Sequence, residues 1–184
     1  MEALIIVDMQ NDFCPGGALP APKADEIIPV INKLMHKFDY VVASRDVHPP
    51  DTNHFDKWPP HCVEGTKGAE FHPGMDISLL QKEFQKGTGN IDDGYSAFEA
   101  TNQNLTEYLI SKEVTDVFIA GLTTEYCIKN TALDAVHNGF KTYLITDAIA
   151  AVDPESGEES EALAEMKNAG VYFIGSDLNG VRVS

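Results

Sequence analysis

Asp46, His48, His54 and His61 fall in one short stretch, so three of the six histidines lie close to one aspartate. The run Tyr40 to Ser44 (Tyr-Val-Val-Ala-Ser) reads as a buried strand, with Asp46 and His48 just past its end. In extended backbone, residues two apart point the same way, so these two side chains can reach one ion together. The Pro-rich segment that follows can fold His54 and His61 back onto it. Imidazole nitrogens and a carboxylate, with no cysteine pair, suit one divalent metal such as zinc, iron(II) or manganese. Such a set leaves positions open for water or substrate, as a catalytic metal requires. The competing reading is a polar surface loop whose histidines are incidental.

A second group of residues is nucleophilic in type. Cys127 follows the apolar run Asp116 to Leu122, read as a strand, and falls in the first turn or so of a helix capped by Thr123 or Thr124. Free N–H groups and the helix dipole there favour a thiolate and can bind an oxyanion. The alternative is a small buried apolar residue. Asp8 ends the first apolar run and can serve as general base for a thiol, or simply order its loop. Asp12, four residues on, reads as structural. Lys86 closes the short run Glu83-Phe84-Gln85-Lys86 before Gly87 and can balance the charge of a base–thiol pair. Its alternative is an exposed lysine.

The elements that must position these groups alternate in type. Ala3 to Val7, Tyr40 to Ser44, Glu83 to Lys86, Asp116 to Leu122, Lys141 to Thr146 and Val171 to Ile174 read as strands. Ile27, Ile31, Leu34 and Phe38 recur at helical spacing, with Pro29 expected in the first turn. Asn102 to Lys112, a segment running to Asn138 before Gly139, and Glu158 to Asn168 read as further helices. Arg45 to Met75 reads as a long loop. This alternation predicts an α/β fold: a single Rossmann-like domain over residues 1–184, with a mostly parallel sheet and helices on both faces. In such sheets ligands bind beyond the carboxyl ends of the strands. Asp8, Asp46, Lys86 and the segment 123–127 all follow strands, and therefore meet at one rim.

Composition excludes several classes. The net charge is −16, with 13 Lys and Arg against 29 Asp and Glu, which disfavours nucleic acid and anionic membranes as partners. No apolar run approaches the roughly eighteen residues of a membrane span. The chain enters a strand at Ala3 with no basic leader, so a cytoplasmic location is expected. Cys14, Cys62 and Cys127 are odd in number and widely spaced, which favours free thiols. No G-x-G-x-x-G follows the first strand, which discounts a dinucleotide-binding oxidoreductase.

Taken in order, these pieces resemble the nicotinamidase (pyrazinamidase) family within the isochorismatase-like cysteine hydrolases. The matching segments are Ala3-Leu4-Ile5-Ile6-Val7-Asp8-Met9-Gln10-Asn11-Asp12-Phe13, then Pro15 to Leu19, Ser44-Arg45-Asp46-Val47-His48-Pro49 and Trp58-Pro59-Pro60-His61-Cys62-Val63. Gln85-Lys86-Gly87, Tyr95-Ser96-Ala97-Phe98, Gly121 to Cys127 and Thr131 to Ala135 follow. The Asp/Lys/Cys set marks the wider superfamily; the Asp-x-His and Trp-Pro-x-His-Cys pieces are specific to nicotinamidases. The resemblance implies a triad of Asp8, Lys86 and Cys127. It implies metal ligands Asp46, His48 and His61, with His54 as a further ligand in some members. It also implies a cis peptide between Leu122 and Thr123, and an oxyanion hole from the N–H groups of Thr123 and Cys127. Phe13, Leu19, Trp58, Tyr95, Leu122 and Tyr126 would form the aromatic substrate pocket. The implied activity is hydrolysis of nicotinamide, and of pyrazinamide, to the acid and ammonia through a cysteine thioester, in the salvage of NAD. Two alternatives stand beside it: an amidase of the carbamoyl-amino-acid type, and a binding protein for a metal or small molecule without turnover. The expected partner is the small substrate, with assembly into a homo-oligomer left open.

Overall fold

The computed structural model describes residues 1–181. Six strands form one sheet: β1 (Glu2–Val7), β2 (Tyr40–Asp46), β3 (Lys82–Lys86), β4 (Asp116–Leu122), β5 (Lys141–Ala150) and β6 (Tyr172–Ile174). Their order is β3-β2-β1-β4-β5-β6, and every neighbouring pair is parallel. Four α-helices cover it: α1 (Ala24–Met35), α2 (Leu105–Ser111), α3 (Lys129–His137) and α4 (Glu158–Asn168).

A strand inside such a sheet is buried on both faces, which is why β1 reads as an unbroken apolar run. Leu4 and Ile6 join the core layer containing Ile27, Ile31 and Leu34 of α1. Ala3, Ile5 and Val7 join the opposite layer, with Leu105 and Leu109 of α2, Ala132 and Ala135 of α3 and Met166 of α4. The expected single α/β domain with helices on both faces is the architecture observed.

Local differences from the sequence reading have physical reasons. Pro29 lies in the second turn of α1, not the first, because the helix begins at Ala24. Pro29 and Asp25 are both exposed, so the carbonyl that Pro29 leaves unpaired can bond water. Helix α2 begins at Leu105 rather than Asn102. The Asn102 side chain is held on β3, accepting from Gln85 N and donating to Glu83 O, while Asn104 caps the helix at Glu107 N. Strand β5 runs on to Ala150 because its pairing with β4 shifts register: Ile119 faces Leu144, but Gly121 faces Ile149. Gly121 has φ +117°, and a side chain there would strike the Val7 carbonyl, so only glycine lets β4 approach β1 at this point. Among the described residues, no helix is long and apolar enough to cross a membrane.

The strand order reverses between β1 and β4, which makes their carboxyl ends the topological switch point where such folds hold ligands. Asp8 follows β1 and Thr123 follows β4. Asp46 and Lys86 are the last residues of β2 and β3.

Candidate active site and metal centre

Lys86 is the centre of the site and is completely buried. Its Nζ lies 2.7 Å from Asp8 Oδ2, 2.6 Å from Asp46 Oδ1, 2.6 Å from the Gly94 carbonyl and 3.4 Å from Cys127 Sγ. Register explains part of this: Asp46 and Lys86 are paired across β2 and β3. Asp8 sits just past β1 in the left-handed region, at φ +49°, a conformation aspartate tolerates better than most side chains. Its Oδ1 accepts from Ser44 Oγ at 2.7 Å.

The charges follow from burial. Burial alone would lower the Lys86 pKa, but Asp46, Asp8 and Cys127 more than offset it and hold the ammonium well above the ordinary lysine range. Burial raises the Asp8 carboxyl, against the pull of Lys86. Burial also pushes the Cys127 thiol well above its usual range; Lys86 opposes this, and Asp8 and Asp46 reinforce it. Helix position favours a thiolate here, whereas burial works the other way and favours the neutral thiol, beside a carboxyl that burial also raises. Atoms of Asp8, Asp46 and Cys127 lie within 4.8 Å of one another.

Cys127 does not sit in an ordinary first turn. Thr124–Ile128 winds as a π-helical turn before α3 begins, and such turns recur at functional sites. Neither expected threonine cap forms: Thr123 occupies the N-cap position without a side-chain bond, and Thr124 lies inside the turn. The Leu122–Thr123 peptide is cis.

His48, His54 and His61 are buried, and each offers a ring nitrogen within 4.8 Å of the others. Their other nitrogens are engaged. Nδ1 of His48 lies 2.9 Å from the Gly87 carbonyl, Nδ1 of His61 2.7 Å from the Pro59 carbonyl, and Nδ1 of His54 3.0 Å from Asp92 Oδ1. Carbonyls and carboxylates only accept, so each Nδ1 donates a hydrogen, which leaves each Nε2 as the nitrogen available to an ion. Among the described residues, His48 Nε2 is buried without a hydrogen-bond partner, and Asp46 Oδ2 lies 3.6 Å from it. Burial, with His48 and His61 nearby, lowers His54 to about 4, and burial lowers His61, so both are neutral near pH 7. Converging imidazoles, oriented from behind and next to a carboxylate, fit a divalent ion. Gly87, at φ +67°, passes so close to the His48 ring that a side chain there would collide with it.

A pocket opens above Cys127. It is lined by Phe13, Leu19, Trp58, Tyr95, Thr123, Tyr126 and Val152, with Asp46, His54, His61 and Gly94. Leu122, expected among these, is instead fully buried in the core layer that contains Phe118 and Ala150. As the last residue of β4 it points into the sheet packing rather than the pocket. Asp12 bonds the Cys62 and Ala18 N–H groups at 2.7 and 3.2 Å, a loop-ordering role.

Several supporting partners are not singled out by the sequence reading. Gln10 clamps Asp46 from behind, donating to its carbonyl at 2.7 Å and accepting its N–H at 2.8 Å. Asp92 holds His54 and Tyr95. Buried Glu125 accepts the N–H groups of Val152 and Asp153 at 2.8 and 3.0 Å, tying the pocket wall to the turn that carries Cys127.

An isochorismatase domain is matched over residues 2–177. A nicotinamidase of Acinetobacter baylyi is 40% identical, over 95% of this chain and 92% of that protein. The crystal structure of a pyrazinamidase of Pyrococcus horikoshii in complex with zinc has a TM-score of 0.85 and 43% identity, over 95% of this chain and 98% of that one. A protein from L. infantum in complex with nicotinate has a TM-score of 0.90 and 36% identity, over 96% and 93%. The chain thus has counterparts over nearly its whole length, and it belongs to the nicotinamidase/pyrazinamidase family of isochorismatase-domain proteins.

Proposed function

We propose that the protein is an amidohydrolase that converts nicotinamide, and pyrazinamide by the same fit, to the carboxylic acid and ammonia. The observation that carries this reading is Lys86 Nζ, within 3.4 Å of the thiol and 2.7 Å of the Asp8 carboxylate, at the base of a pocket walled by aromatic side chains. Asp8 takes the proton of Cys127, and Sγ attacks the carboxamide carbon. The N–H groups of Thr123 and Cys127 hold the oxyanion, worth about 3 to 4 kcal/mol per donor in such sites. Asp8 returns the proton to the amide nitrogen, the C–N bond breaks and ammonia leaves a thioester. Asp8 then accepts a proton from water as water adds to the thioester, and the acid is released with Cys127 restored. Lys86 stays protonated and keeps two carboxylates and the thiol in register.

Asp46, His48 and His61, with His54, would hold one divalent ion, zinc by preference, which supplies a Lewis-acid site for the ring nitrogen. The histidine cluster counts against the carbamoyl-amino-acid alternative, which the triad alone would fit equally well. A complete triad counts against a binding protein without turnover. Nicotinate production fits recycling of pyridine nucleotides in the cytoplasm, a reducing compartment that suits three unpaired cysteines. The test is ammonia release from nicotinamide by the purified protein, before and after chelation and after metal is restored. Absence of ammonia from the metal-loaded protein would overturn the reading.

A further inference from the structure

We propose that Asp92 is a positioning residue that holds the metal histidine His54 and the pocket residue Tyr95 in one arrangement, so that metal affinity and amide binding both depend on it. This rests on the metal site proposed above. Asp92 does not line the pocket, yet its Oδ1 accepts from His54 Nδ1 at 3.0 Å and from Tyr95 Oη at 2.5 Å. Tyr95 Oη in turn accepts from Trp58 Nε1 at 3.0 Å. One carboxylate oxygen therefore fixes three pocket-lining side chains, one of them a candidate ligand. The second oxygen pairs with Lys57 Nζ at the surface.

His48 and His61 are oriented by backbone carbonyls, which no substitution removes. His54 alone of the three is oriented by a side chain. Without that acceptor its imidazole can turn about χ2 and present either nitrogen, or none, to the ion. The two loops that meet here have other ties: Asn53 N donates to Asn90 Oδ1 at 2.9 Å, and Thr52 Oγ1 to the Gly89 carbonyl at 3.2 Å. Substitution of Asp92 should therefore disturb ring orientation more than loop position.

The test loads wild type, Asp92→Ala, Asp92→Asn, Lys57→Met and His48→Ala with cobalt(II). Affinity is measured by chelator competition, ligand geometry by the visible spectrum, and nicotinamide turnover as kcat and KM. Asp92→Ala should lose roughly 10- to 100-fold in cobalt affinity, as removal of such an orienting partner typically does, with an altered spectrum and a raised KM. Asp92→Asn keeps an uncharged acceptor and should fall between Asp92→Ala and wild type. Lys57→Met should match wild type. Wild-type affinity and spectrum in Asp92→Ala overturn the proposal, and so does Lys57→Met reproducing the loss, since Asp92 would then only pin a loop. If Asp92→Ala does not fold, Asp92→Asn decides: weakened binding with a changed spectrum supports the role, and wild-type values refute it. His48→Ala separates the two levels. Metal lost there but kept in Asp92→Ala leaves the metal site standing and removes Asp92; metal kept in His48→Ala removes the site and the role with it.

Discussion

Asp46 Oδ1 lies 2.6 Å from Lys86 Nζ, while Asp46 Oδ2 turns toward His48 Nε2 at 3.6 Å. One aspartate thus joins the lysine beside Cys127 to the histidines. The pairing of β2 with β3 sets this contact, because Asp46 and Lys86 are register partners at the ends of their strands. The two halves of the site are one buried charge system: Asp8 and Asp46 share an ammonium that water does not reach.

That sharing predicts a large stability effect. Lys86→Met leaves two carboxylates buried without their cation, and breaking a buried pair costs about 3 to 5 kcal/mol. Urea unfolding of the metal-free protein should register a loss of that order, together with loss of turnover. A change below about 1 kcal/mol would mean that the two carboxylates are balanced by something other than Lys86.

Cys127→Ala should end ammonia release while leaving the folded state and bound metal unchanged. In the wild type, iodoacetamide should reach Cys127 first: it lines the pocket and is 7% exposed, against 1% for Cys14 and 0% for Cys62. Because burial raises its pKa, the thiolate is the minor form near neutrality. The alkylation rate should climb roughly tenfold per pH unit above neutral. A rate that is already flat at pH 6 would instead reveal a resting thiolate.

How much of this was legible in the chain depends on what each residue's role rests upon. β1 and β4 are fixed by continuous apolar runs, and their observed bounds lie within one residue of those read from sequence. Residues at or just past strand ends are then placed on the rim by topology alone, which is why the sequence already brings Asp8, Asp46, Lys86 and Cys127 to one rim. The π turn at Thr124–Ile128 and the register shift that lengthens β5 leave no periodic trace. Gln10, Asp92 and Glu125 act through contacts distant in sequence or set by side-chain direction. The burial of Leu122 is hidden for a related reason: position beside the turn that carries Cys127 does not decide which face of β4 a side chain occupies.

Asp8 and Asp12 separate catalysis from structure. Asp8→Asn should lower kcat by about 10² to 10⁴, the usual cost of losing a positioned base. Asp12→Asn weakens the acceptor for the Cys62 and Ala18 N–H groups and should act mainly on stability, by about 1 to 3 kcal/mol. Parallel measurement of kcat and unfolding midpoint for both variants distinguishes the roles; equal losses of kcat would undo the assignment.

The ring nitrogen of the substrate supplies the last discrimination. If the ion held by Asp46, His48, His54 and His61 receives that nitrogen, benzamide presents a C–H where nicotinamide presents a lone pair. The two amides are nearly identical in shape, so the aromatic walls formed by Phe13, Trp58 and Tyr95 cannot separate them. A polar position left unpaired in a buried site rejects a near-isostere by about 10⁴ to 10⁵, whereas fit against apolar walls alone gives about 10². Steady-state kcat/KM for both amides on the metal-loaded enzyme should therefore differ by well over 10²-fold, on the same scale. Chelation should remove most of the preference along with the activity. Comparable values for benzamide and nicotinamide would place the ring away from the histidines and sink the metal's part in recognition, while leaving the chemistry of Asp8, Lys86 and Cys127 intact.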